Sequence, residues 1–377
     1  MSVHRMQIVG LIVAWMLYMT QIALAAGDTA MPAARGENDW TIEVADGKRG
    51  VGLYASLALA VDGQPHISYY DWNAGHLRYA YRDGTGWHPQ VVDDGEGVGE
   101  DCSLALDSAG RPHISYHSPG DLAYATWDGN TWQHELVDQE GAVGQFTALA
   151  LDAQDRPHIS YHDNSKRALK YAYRDTAGWH LETVDAGGYV GLYTSLALDD
   201  RGNAHISYYD AVCHCLKYAV RGAEGWQIEV ADATSGVGQH SSLALDGAGR
   251  PHVAYYDYAR NRVRYAHQSA FGWQVETLPG EEVSNPYPAL ALDAQDRPHI
   301  SYQGPSGLLH ARKGMTKWYT ETVAAGARVG EYSSLAIDDE GYVHIAFFDA
   351  QEGQLLYATK RIVALEVALH LPVILKP

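Results

Sequence analysis

The sequence predicts an all-β fold, a seven-bladed β-propeller with four-stranded blades, and three observations carry that reading. First, Trp40, Trp87, Trp132, Trp179, Trp226, Trp273 and Trp318 recur at spacings of 47, 45, 47, 47, 47 and 45 residues. Second, each repeat has the same order of motifs: W-x-x-E-x-V-D, V-G-x-Y-x-S-L-A-L-D, G-x-P-H-I-S-Y-Y-D and L-x-Y-A-Y-R-D-x-x-G-W. Third, each repeat holds four short strand-like runs separated by turn residues, and no helical periodicity occurs between residues 40 and 361. Four short strands at a period of 40 to 50 residues is the pattern of a propeller blade.

Residue size assigns the runs. Blades crowd together near the axis, so Ser56-Leu57-Ala58-Leu59, with its small Ser and Ala, is placed innermost. His66 to Tyr70 comes second and Leu77 to Tyr81 third, and the Trp-led run (Gln227 to Val230 is one example) is outermost. The chain opens on an orphan outer run, Trp40 to Val44, and ends on a repeat with three runs. The first run is therefore expected to complete the seventh blade, closing the ring without an open sheet edge. Asp199-Asp200-Arg201-Gly202 and its counterparts read as a hairpin turn rather than a calcium loop, because alternating oxygen ligands are missing.

The ends differ from the repeats. Residues 1–26 read as a signal peptide, with an apolar run from Ile8 to Leu24 and cleavage near Ala25 or Ala26, so the expected location is secreted or cell-surface. Residues 27–39 read as a flexible leader, 40–361 as the propeller and 362–377 as an apolar tail. Lys and Arg total 27 against 46 Asp and Glu, a net charge of −19, which excludes nucleic acid and anionic membranes as favoured partners. No stable membrane insertion is expected once the signal is removed, and the expected state is a monomer. Three cysteines, Cys102, Cys213 and Cys215, cannot all pair within one chain. Cys213-His214-Cys215 is read as a loop substitution, with no metal and no cofactor expected.

A histidine recurs in every repeat, from His66 to His344. Spread around a ring, the seven cannot meet at one ion, so they read as buried residues hydrogen-bonded to a neighbouring blade. Binding candidates lie instead where the first two strands of each blade reach one shared face. Just before the inner strands stand Tyr54, Asp101, Phe146, Tyr193, His240, Tyr287 and Tyr332. After the second strands stand Asp71, Asp163, Asp210, Asp257 and Asp349, with Ser118 and Gly304 in repeats two and six. Aromatic rings beside carboxylates suit sugar recognition, since rings pack on C–H groups while carboxylates take hydroxyls. Repeats two and six are each two residues short in the loop after the second strand, and repeats two and three carry His117 and His162 in place of the second Tyr. With Asp101 these histidines form an alternative general acid/base site.

The repeats from 40 to 361 resemble those of bacterial secreted β-propeller repeat proteins and, more loosely, of propeller lectins and the BNR-repeat family. Thr126-Trp127-Asp128-Gly129-Asn130-Thr131-Trp132 approaches the sialidase Asp box but is one residue short and has Asn for the spacing Gly, and no arginine triad can be picked out. Some propeller polysaccharide lyases use His with Tyr, which implies a role for His117 and His162. The expected function is non-catalytic binding of a polysaccharide or cell-surface ligand through several equivalent sites on the Tyr-rich face. A polysaccharide lyase or glycoside hydrolase centred on blades two and three, and a protein-interaction scaffold, are the alternatives.

Overall fold

A computed structural model describes residues 39–362. Residues 1–38, which include the segments read as signal peptide and leader, and the tail beyond Ile362 lie outside the described residues. The chain forms seven four-stranded antiparallel sheets, each running in sequence order from its first strand to its fourth. In blade four, for example, the strands are Val190–Leu198, Ala204–Asp210, Cys215–Gly222 and Gly225–Asp232. Blade seven is the exception that closes the ring: Thr41–Asp46 lies outside Gln354–Arg361, with Thr41 opposite Thr359 and Val44 opposite Leu356. The short loops of blades two and six are two-residue turns, Pro119-Gly120 and Pro305-Ser306.

The apolar core lies between blades, because each sheet buries both faces. Leu169, Tyr171 and Val184 of blade three pack with Val190, Leu196, Ile206, Tyr208 and Ala219 of blade four. The V-G motif exists for this packing. Gly191 has φ +84°, and a Cβ there would stand 2.6 Å from Leu169 Cα of the preceding blade, so no larger residue fits without moving backbone.

Three side-chain staples recur. Each repeat Trp sets its ring edge-on against the third strand of the preceding blade, as Trp226 does on Tyr171 at 5.1 Å and Trp179 on Tyr124 at 5.4 Å. At four of the seven interfaces the indole N–H also donates to a Glu of the preceding blade, as Trp226 does to Glu182 at 2.9 Å and Trp87 to Glu43 at 2.8 Å. Closer to the cavity end, Tyr208 donates to Asp185 at 2.7 Å and Tyr69 to Asp46 at 2.7 Å, and a closing Asp of the fourth strand is bonded in this way at five of the seven interfaces.

The recurrent histidines are structural, but their bonds differ from expectation. His205 Nδ1 meets Tyr218 Oη at 2.5 Å and His344 Nδ1 meets Tyr357 Oη at 2.5 Å, each within its own blade. His344 Nε2 lies 3.1 Å from the hairpin Asp338. The imidazole therefore fixes the ring that receives the next blade's Trp, as His205 does for Tyr218 under Trp273. The turn reading of the hairpin Asp is matched by geometry: Asp199 Oδ1 accepts from Arg201 N at 2.9 Å and Asn203 N at 2.8 Å.

Candidate functional site: an aromatic cavity on the propeller axis

Each full-length inner strand carries a break in its ladder. In blade one the register shifts between Val51 and Leu53 and again between Leu53 and Ser56, so Tyr54 and Ala55 fall out of the pairing. A bulge of this kind re-aims a side chain. The residue re-aimed has positive φ in all seven blades: Tyr54 54°, Asp101 52°, Phe146 55°, Tyr193 54°, His240 52°, Tyr287 43° and Tyr332 52°. L-residues rarely adopt this conformation, which costs on the order of 1–3 kcal/mol each and concentrates at functional sites.

The strain brings the seven side chains together. All seven are half-buried and line one open cavity of about 220 Å³ on the axis. They form a nearly continuous belt, with ring centroids 4.7 Å apart for Tyr332 and Tyr54, 4.6 Å for Phe146 and Tyr193 and 4.3 Å for Tyr193 and His240. The belt continues at 4.5 Å from His240 to Tyr287 and 4.3 Å from Tyr287 to Tyr332. Asp101 fills the one gap, and its Oδ2 accepts from Phe146 N at 2.8 Å. Burial pushes the Asp101 carboxyl up to about 7 against the pull of the Phe146 N–H, with Glu100 adding to the rise. Burial lowers His240 to about 3, so that imidazole is neutral at physiological pH. Desolvation also raises Tyr54, Tyr193 and Tyr332 above the ordinary phenol range.

A second belt holds the first, and the sequence reading missed it. Thr194 Oγ1 bonds Ser160 Oγ of blade three at 2.5 Å and donates to Phe146 O at 3.1 Å, so one hydroxyl links the previous blade's second strand to the carbonyl of its strained residue. Thr147 does this with Ser115 at 2.7 Å and Asp101 O at 3.0 Å, and Ser241 with Ser207 at 2.9 Å and Tyr193 O at 2.8 Å. Ser333 repeats it with Ser301 and Tyr287 O, and the free, buried Cys102 with Ser68 and Tyr54 O. At the other two interfaces the equivalent positions are Ala254 with Pro288 and Ala346 with Ala55. The second-strand Ser and the next blade's hydroxyl or thiol are thus present or absent together, a signal the sequence holds. Thr194→Val strands the fully buried Ser160 hydroxyl and is expected to cost about 1–3 kcal/mol in chemical denaturation. The double variant Ser160→Ala/Thr194→Val is expected to cost less than the sum of its parts.

The other sequence-derived candidates fall elsewhere. Asp71, Asp163, Asp210, Asp257 and Asp349 do not line the cavity. They close the loops after the second strands, where Asp163 accepts from Lys166 N at 2.8 Å and Asp257 from Arg260 N at 3.0 Å. Asp71 and Asp210 also pair with Lys48 at 2.5 Å and Lys217 at 2.7 Å. Their turn role follows from the need to satisfy loop N–H groups beside buried strands. His162 is fully buried behind Phe146 and gives its Nδ1 to Val190 O at 2.9 Å. His117 lies opposite Glu100 in the sheet, so no hydrogen bond joins Asp101, His117 and His162 into an acid/base group. The expectation of several equivalent sites is also corrected: the seven positions converge on a single cavity.

The sequence matches no family model and no curated protein. Solved structures match the fold. A protein of unknown function from Dyadobacter fermentans is 10% identical with a TM-score of 0.50, over 85% of this chain and 98% of that one. A PL25 ulvan lyase bound to -[GlcA(1-4)Rha3S]- is 12% identical with a TM-score of 0.57, over 83% of this chain and 94% of that one. The NanB sialidase of Streptococcus pneumoniae is 10% identical with a TM-score of 0.48, over 92% of this chain and 72% of that one. The chain is a seven-bladed β-propeller, and its likeness to these structures is one of fold.

Outside the axis, Cys213 and Cys215 form a disulfide, a pairing the sequence reading did not assign. Asp210 stands close enough to form a three-ligand group with them. The sulfurs are bonded to each other and the carboxylate is engaged by Lys217 and by Val212 N at 2.7 Å, which leaves the group without free ligand atoms. His214, between the cysteines, shares its Nδ1 with the hydroxyls of Tyr209 at 2.8 Å and Tyr258 at 3.0 Å.

Proposed function

We propose that the chain is a glycan-binding propeller, acting outside the cell as a monomer, and that its single site is the axial cavity. One observation supports this most: six aromatic side chains from six blades, each at positive φ, line one cavity of about 220 Å³. That volume falls below the usual 300–1,000 Å³ range of drug-sized ligand pockets and suits one sugar ring entered end-on. Phenol and phenyl rings pack on the C–H face of a sugar, and the half-buried hydroxyls and Asp101 take its O–H groups. The belt is preorganised by its strain and its hydroxyl relay, which reduces the ordering cost of binding. A propeller fold accommodates saccharides, the ulvan lyase with its bound glycan being one example, and the choice of site for this chain rests on its own cavity. The apolar run from Ile8 to Leu24 supports export.

The test is an array of immobilised polysaccharides and oligosaccharides probed with wild type and with the double variant Tyr193→Ala/Tyr287→Ala. Wild type is expected to retain at least one glycan. The double variant, folded by circular dichroism, is expected to bind it about a hundredfold more weakly, equivalent to about 2.8 kcal/mol. Equal retention of wild type and variant, or no glycan retained at all, would sink the reading.

A further inference from the structure

We infer that the axial cavity selects a sugar terminus bearing a positively charged amino group over neutral or acidic termini, with Asp101 as the specificity-determining residue. This rests on the glycan reading above and names its ligand class. The cavity wall holds five phenol or phenyl rings and one imidazole, a single carboxyl, and no Lys or Arg. An acidic sugar such as a uronate or a sulfated residue would enter facing π-clouds and a carboxyl with no cation to receive it. A compact ammonium meets the opposite situation, since aromatic faces attract cations and such aromatic cages are a common means of holding them.

Asp101 is placed to complete the cage. It occupies the only break in the ring belt, between Tyr54 and Phe146. Among the described residues only one of its oxygens, Oδ2, is bonded, to Phe146 N at 2.8 Å. The groups that face it are Tyr54, Tyr193, Tyr287 and Glu100, which act on it electrostatically, together with Cys102 beside it and the neutral His240 on the cavity wall. None is a cation at neutral pH. Burial therefore raises the carboxyl to about 7, the Phe146 N–H opposing the rise but no cation compensating it. A bound ammonium would supply that compensation, favour the ionised carboxylate and expel a proton. Cation affinity should consequently rise as pH rises through 7, and fall below it as Asp101 is protonated.

The experiment is calorimetric titration of the full chain with a glucosamine-terminated chito-oligosaccharide, its fully N-acetylated counterpart and a glucuronate-terminated oligosaccharide of equal length. The free-amine ligand is expected to bind at least about tenfold more tightly than either. Asp101→Asn, which keeps an acceptor for Phe146 N, should reduce that preference to near unity. Tetramethylammonium, whose charge does not titrate, should bind about tenfold more weakly at pH 5 than at pH 8 in wild type and show no such change in Asp101→Asn. Equal wild-type affinity for the three sugars would overturn the inference while leaving the glycan reading intact, and a preference that survives in Asp101→Asn would remove Asp101 from it. Failure of all three sugars to bind would overturn the inference, whereas the glycan reading falls only on the outcome of the array. The wild-type comparison decides even if the variant does not fold.

Discussion

Trp40→Ala is expected to destabilise the protein by about 3–5 kcal/mol, the usual cost of removing a buried indole. Trp40 is 1% exposed and packs with Leu308, Val323, Val329, Leu335, Ile345 and Phe347, the core shared by blades six and seven. Its ring meets His310 edge-on at 5.6 Å, where other interfaces place a Tyr. Deletion of residues 40–46 should do more. It removes the outer strand of blade seven, including the buried Ala45 and Asp46, and exposes the edge of Gln354–Arg361. An unpaired edge beside an opened core invites association between chains. The expected result is loss of a cooperative unfolding transition, or aggregation during purification. A deletion variant that melts as wild type would contradict ring closure by the first strand.

Lys170→Met should cost a similar amount for a different reason. Lys170 is 5% exposed and Asp138 2% exposed, and the ammonium pairs with Asp138 Oδ2 across the interface of blades two and three. Tyr161 donates to the same oxygen at 2.7 Å. Removing one partner leaves a buried charge, which costs about 3–5 kcal/mol. Burial alone would raise the Asp138 carboxyl, but hydrogen bonds from Lys170, Glu140 N and Tyr161 together hold it below the ordinary value. In wild type its contribution is therefore present above about pH 4, the unfolded carboxylate value, and is lost as pH falls through the lower folded value. In Lys170→Met burial dominates and the sign reverses, so the deficit relative to wild type should shrink on acidification. Urea denaturation from pH 7 down to pH 3 reads this directly. A constant difference across that range would show that the pair carries no such coupling.

The architecture was legible because repetition multiplies weak signals. One Ser-Leu-Ala-Leu run says little, but seven at a fixed period identify an inner strand, and the orphan Trp40 run identifies the closure. The seven cavity positions were also legible, as the residue after V-G-x in six repeats and as Tyr287 after Val283-Ser284-Asn285-Pro286 in the other. Their conformation was not: Tyr and Phe at five of the seven positions carry none of the Gly, Asn or Asp signal that marks such a backbone. Without it, the convergence of seven positions on one cavity could not be told from seven separate surface sites. The five loop aspartates misled because each follows two ring-bearing residues in sequence, while the strand end turns it toward loop N–H groups. The pairing of Ser160 with Thr194, and of Ala254 with Pro288, was present in the sequence but needed the interface to become visible.

The most direct test of the axial site is a crystal structure of the protein with the tightest-binding glycan from the array. The predicted result is one sugar per chain on the axis, its ring against Tyr193, Tyr287 and Tyr332 and a polar group within hydrogen-bond distance of Asp101. Sugar bound in a groove between blades or at the outer strands, with the axial cavity empty, would contradict it.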